Sequence, residues 1–154
     1  MTPEGYRRMH AEYTELFSVE RPRVVEIVSW AAGNGDRSEN GDYIYGRLKL
    51  RDIDRQLRRL SQKMKNAKVV DPSEQIERDR VFFGAIVDLA DEDDARVTYT
   101  IVGDDEADAG ARRIGWNSPL ARALRGARVG DLRTVQLPAG PKEWEVMGIG
   151  YPLA

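Results

Sequence analysis

Asp36 and Glu39 stand three residues apart in the stretch GNGDRSEN, Gly33 to Asn40. On the first turn of a helix that spacing sends both carboxylates to one side, where their oxygens could reach one hard cation. Two carboxylates are an incomplete cage. Mg²⁺ is commonly held by one or two of them together with substrate phosphates, so the pair suits a site that another macromolecule completes. The same spacing is that of a capping box, Asp at the N-cap and Glu three later, and acids at a helix N-terminus also favour the macrodipole. Spacing alone leaves both roles open.

Behind the acids the charge changes sign. Residues 47–68 carry nine Lys or Arg against Asp52 and Asp54 only. Arg47, Arg51, Arg55 and Arg58 recur at spacings of 4, 4 and 3, one face of a helix turned away from its apolar seam. A solvated face is the ordinary meaning of such a stripe. A row of one sign behind an acidic tip would also hold a nucleic-acid backbone while the tip meets a metal.

These side chains need two long helices to position them. Thr2-Pro3-Glu4 supplies an N-cap followed by Pro at the first helical position, and Tyr6, Met9, Tyr13 and Leu16 then recur at helical spacing. Val24, Val25, Ile27, Val28 and Ala31 resume the apolar stripe after Pro22, which is expected to kink or interrupt the helix, and Gly33 and Gly35 stop it. From about Glu39, the residues Leu50, Ile53, Leu57, Leu60, Met64 and Ala67 form a heptad seam that needs a partner. Two such helices joined by a short Gly-containing loop predict an antiparallel hairpin with GNGDRSEN at its far end. Trp30 is expected to pack within the hairpin. Gly41 and Gly46 should loosen the second helix by roughly 1 kcal/mol each relative to Ala.

After Asp71-Pro72 the pattern turns to β: Val81–Val87, Arg96–Val102, Leu132–Leu137 and Glu143–Tyr151 read as strands, with Ser118-Pro119 capping a short helix through Leu124. The boundary between the halves falls near residues 68–79. Split after Lys68, the first part has 14 basic and 10 acidic residues and the second 10 and 16, which suggests units with different partners. Cysteine is absent and His10 is the sole histidine, so a disulfide framework, a zinc site and a Cys/His nucleophile lack their parts. No apolar run approaches the roughly 20 residues of a membrane span, and a cytoplasmic protein is expected.

The segments GDRSENGDYIYGRLKLRDIDRQLRRL, ERPRV, VSWAA, VFFGA, IVGDDE and NSPLARALRGARVGD together resemble the bacterial transcript-cleavage factors GreA and GreB, the second more closely. The resemblance implies an α+β chain with an N-terminal antiparallel coiled coil over residues 1–74, its acidic tip near 33–40, and an FKBP-like β-rich domain over 75–154. It implies a monomer that is no enzyme itself but enters the secondary channel of RNA polymerase and stimulates cleavage of backtracked nascent RNA. The family's acidic pair falls on Asp36 and Glu39, which would help the polymerase hold a second Mg²⁺ and activate water; the free protein would carry no cofactor. Ser38 would support the tip without binding metal. The basic patch that contacts the extruded RNA 3′ segment maps onto Arg47, Lys49 and Arg51, and the stripe extends it to Arg55 and Arg58. Ser118 and Pro119 fall in the segment that docks at the channel rim, although a cap with Pro at the first turn explains the same two residues. Two rivals remain at this point: a channel-blocking inhibitor without cleavage activity, and an FKBP-like prolyl isomerase.

Overall fold

The computed structural model describes residues 1–33 and 41–153, and the chain divides into two compact units, Tyr6–Ala67 and a second formed by Met1–Gly5 with Lys68–Ala154. The first is helical. Helix α1 spans Pro3–Glu15, α2 Arg21–Ala32 and α3 Gly41–Asn66. Thr2 caps α1, its hydroxyl oxygen accepting from the Gly5 amide at 3.0 Å. Between α1 and α2 the chain makes one π-helical turn, Leu16–Glu20, in which the Arg21 amide donates to the Leu16 carbonyl five residues back. The interruption expected at Pro22 takes this form. The proline ring crowds the carbonyl four residues earlier and offers no N–H, and a widened turn just before it keeps the chain helical.

The hairpin seam is narrower than the apolar residues of α2 suggested. Val24 is buried and Val28 half-buried, packing with Ile53, Leu57 and Leu50 of α3 and with Tyr13 and Leu16, and Ala31 is buried further along α2. Val25 and Ile27 are exposed, and so is Trp30, at 64 %, against the expectation that the indole packs in the hairpin. Helical phase explains it: at about 100° per residue, Trp30 is rotated some 120° from the line through Val24 and Ala31. The helices run antiparallel, with Arg21 opposite Asp54 and Val28 against Gly46.

The second unit is built on a five-stranded sheet of order β3-β2-β1-β5-β4. The strands are β1 Ile86–Ala90, β2 Arg96–Val102, β3 Arg113–Gly115, β4 Leu132–Leu137 and β5 Gly140–Gly150, all antiparallel neighbours except the parallel pair β2 and β3. Helix α4, Pro119–Leu124, buries Ala121 and Leu124 against Val87, Leu89, Ile101, Val135 and Val146. Burying a leucine of this kind stabilises the fold by roughly 1.5–3 kcal/mol.

The strand read over Val81–Val87 begins only at Ile86. Gly84 sits at φ +86°, where a Cβ would collide with Pro72, and the Ala85 amide turns back to the Phe82 carbonyl at 3.1 Å. Val81 pairs instead with the loop after α4, through Val81 N to Ala127 O at 2.9 Å and Gly126 N to Val81 O at 2.8 Å.

Glu106 ties the N-terminal residues into this unit. Buried, it accepts from the Thr2 amide at 3.0 Å, the Gly103 amide at 2.8 Å and the Thr2 hydroxyl. Gly5 lies so close to it that any side chain there would strike the carboxylate. A carboxylate answered by several donors is a tolerable buried charge.

Candidate functional site

The acids Asp36 and Glu39, with Ser38 between them, lie outside the described residues. Among the described residues no group of three or more His, Cys, Asp or Glu is placed to hold a metal ion. The donor set of the tip itself, two carboxylates, supplies the hard oxygen ligands that Mg²⁺ prefers but too few of them for a cage.

Arg47, Lys49, Arg51, Arg55 and Arg58 are all exposed on α3. Arg47, Arg51, Arg55 and Arg58 share one flank, each about 20–80° from the first of them in helical phase, whereas Lys49, two residues after Arg47, is turned about 200° from it. The fold thus brings together the four arginines and sends Lys49 to the other flank. Among the described residues Arg51, Arg55 and Arg58 have no carboxylate within ion-pair distance. Arg47 is steadied by Tyr43, whose hydroxyl accepts from Nη1 at 2.9 Å and whose ring centroid lies 5.7 Å from the guanidinium.

Asp52 and Asp54 of the same helix are engaged elsewhere. Asp54 accepts from Arg21 Nε at 2.8 Å across the hairpin and Asp52 from Gln56 at 2.7 Å. The hydrogen bond to Asp54, with its charge, raises the Arg21 pKa above its ordinary value. Among the described residues Arg51, Arg55 and Arg58 therefore face solvent without an ion-pair partner, which suits a polyanion.

Ser118 and Pro119 open α4 as a cap and first-turn proline. The Ser118 hydroxyl accepts from the Ala121 amide at 3.3 Å, with Pro119 exposed beside it. The cap reading of these residues therefore holds, and the structure adds neighbours that spacing had not singled out. Asp104 accepts from the Asn117 amide at 2.9 Å and from its side-chain Nδ2 at 2.8 Å, and those bonds hold its carboxyl below the usual carboxylate range, helped by Arg125. Asp104 is 13 residues from Asn117 in sequence, and only the parallel pairing of β2 with β3 makes them neighbours.

Comparison with known proteins covers both units. Residues 1–69 match the family described as transcription elongation factor, N-terminal, and residues 75–151 match transcription elongation factor, GreA/GreB, C-term. The chain is 47 % identical over 151 residues to transcription elongation factor GreB of Neisseria meningitidis, covering 98 % of this chain and 93 % of that one. It is 48 % identical over 154 residues to GreB of Pseudomonas aeruginosa, covering 100 % and 91 %. Against transcription elongation factor GreA of Alkalilimnicola ehrlichii it is 40 % identical over 152 residues, covering 98 % and 96 %.

Proposed function

Since the chain belongs to the GreA/GreB family of transcription elongation factors, we propose that it acts on backtracked RNA polymerase, entering the secondary channel with its helical hairpin and stimulating cleavage of the nascent RNA. The observation that carries this reading is the hairpin itself: α2 and α3 run antiparallel, and the segment joining them holds Asp36 and Glu39. In this reading the segment with the two acids would lead the hairpin into the channel.

Asp36 and Glu39 would help to hold a Mg²⁺ shared with the polymerase. When bound, that ion would acidify the attacking water and stabilise charge on the scissile phosphate. The chain's own residues bind and orient. Arg47, Arg51, Arg55 and Arg58 hold phosphates of the extruded RNA along one flank of α3, with Lys49 reaching RNA from the other. Ser118 and Pro119 engage the channel rim. In this reading the factor supplements the polymerase's site and leaves the cleavage itself to the polymerase.

The decisive experiment adds the purified protein to a stalled, backtracked elongation complex with Mg²⁺ and resolves the RNA on a gel. The reading requires shortened transcripts that the polymerase then extends. Unchanged RNA, with the complex bound and arrested, would instead establish a channel-blocking inhibitor.

A further inference from the structure

The turn from β3 into α4, Gly115–Ser118, is held from two sides. On one side Asp104 takes both the backbone and the side-chain N–H of Asn117, at 2.9 and 2.8 Å. On the other, Arg125 at the end of α4 lays its guanidinium 3.9 Å from the centroid of Trp116 and donates from Nη2 to the Trp116 carbonyl at 2.5 Å and to Asn117 Oδ1 at 3.0 Å. The Asn117 carboxamide is thus fixed at both ends, its nitrogen on a carboxylate and its oxygen on a guanidinium.

The supports are themselves anchored. Trp116 donates its amide to the Val102 carbonyl at 2.8 Å and meets the Phe83 ring edge-on at 6.0 Å. Gly115 is required where it stands, because a Cβ would fall 2.6 Å from Asp104 Oδ1. The Ser118 amide closes the turn on the Gly115 carbonyl at 2.9 Å, and α4 begins with the next residue.

Asp104 and Asn117 are exposed, so little core packing depends on them. Fold stability alone gives little reason for an exposed asparagine held by three polar contacts. Such an arrangement removes alternative conformations of Asn117 and of the two residues after it, and a surface already ordered before binding loses less entropy on association.

We infer that Asp104 and Arg125 are positioning residues for docking, holding the Asn117–Ser118–Pro119 turn in the one conformation that the polymerase rim accepts. This rests on the reading of Ser118 and Pro119 as docking residues. Neither Asp104 nor Arg125 need touch the partner, since they act through Asn117 and Trp116.

The test measures affinity for core RNA polymerase by competition, and melting temperature in parallel, for full-length Asp104→Ala, Asn117→Ala, their double variant, Arg125→Lys and a Ser118→Ala/Pro119→Ala reference. Lysine keeps the charge of Arg125 but loses the planar fork that spans Trp116 and Asn117. The expected result is affinity about tenfold weaker for Asp104→Ala and for Arg125→Lys, corresponding to about 1.4 kcal/mol, with unchanged melting temperature. The double variant should be no weaker than Asp104→Ala alone, because both substitutions undo one clamp. Additive losses would mean direct contacts and overturn the inference. So would losses that track falling melting temperature, or wild-type binding by Asp104→Ala and Arg125→Lys while the reference variant is weak. Wild-type binding by the reference variant would instead remove the docking reading itself.

Discussion

Gly46 of α3 lies against Val28 of α2 so closely that a Cβ on the glycine would stand 2.6 Å from Val28 Cγ2. The glycine is what lets the two helices approach at this level of the hairpin. Alanine would gain roughly 1 kcal/mol of helix propensity. It would also force aside a β-branched side chain that has one favoured rotamer in a helix, and overpacking of that kind costs about 1–3 kcal/mol. Gly46→Ala should therefore destabilise the hairpin, whereas Gly41→Ala, with open space around the added methyl, should stabilise α3 by up to about 1 kcal/mol. Thermal unfolding followed by circular dichroism separates the two, and a stabilised Gly46→Ala would show that Val28 yields.

Tyr151 makes a second paired prediction. Its hydroxyl donates to the Arg80 carbonyl at 2.6 Å and accepts from the Phe82 amide at 2.8 Å. Tyr151→Phe leaves both backbone groups without that partner and should cost about 1–3 kcal/mol in urea unfolding. Burial raises the phenol pKa above its ordinary value. A raised acid contributes its stability in full below the unfolded-state pKa and loses it as pH rises through the folded value, so the wild type should lose stability above about pH 10. The Phe variant should lack this component of the alkaline decline.

Asp36→Ala and Glu39→Ala should each abolish most stimulated RNA cleavage while leaving polymerase affinity nearly unchanged, because the carboxylates would supply metal ligands and docking lies elsewhere. Cleavage assays at several Mg²⁺ concentrations check this: raised Mg²⁺ should partly restore a single variant. Near-wild-type cleavage by the double variant would remove the metal role, and a loss proportional to falling melting temperature would leave only the capping box.

Replacing Arg47, Arg51 and Arg55 together by Ala should weaken action on deeply backtracked complexes more than on shallow ones, since a longer extruded RNA reaches further along α3. The wild-type advantage should shrink as salt rises, because phosphate contacts release counterions. Exposed arginines away from the seam should cost little stability, within about ±0.5 kcal/mol. Equal cleavage of both kinds of complex by the triple variant at low salt would make the stripe a solvated face.

Much of the helical unit was legible in the sequence because its information is local. A period of 3.6 places Ile53, Leu57 and Leu60 on one line and the four arginines on another without reference to the rest of the chain. The cap at Thr2, the cap at Ser118 and the strands Arg96–Val102 and Leu132–Leu137 were legible for the same reason. Trp30 and Ile27 misled because apolar residue type says that a side chain gains by burial, whereas the width of the seam is decided by how closely the partner helix approaches, and Gly46 sets that approach.

Only the tertiary structure joined residues distant in sequence. Glu106 meets Thr2 across 104 positions, and Tyr151 reaches Arg80 and Phe82 across about 70. Asp104 reaches Asn117 because β3 returns parallel to β2. No period in the chain encodes such pairs: the gain from each hydrogen bond exists only once sheet register and loop closure have brought donor and acceptor within 3 Å.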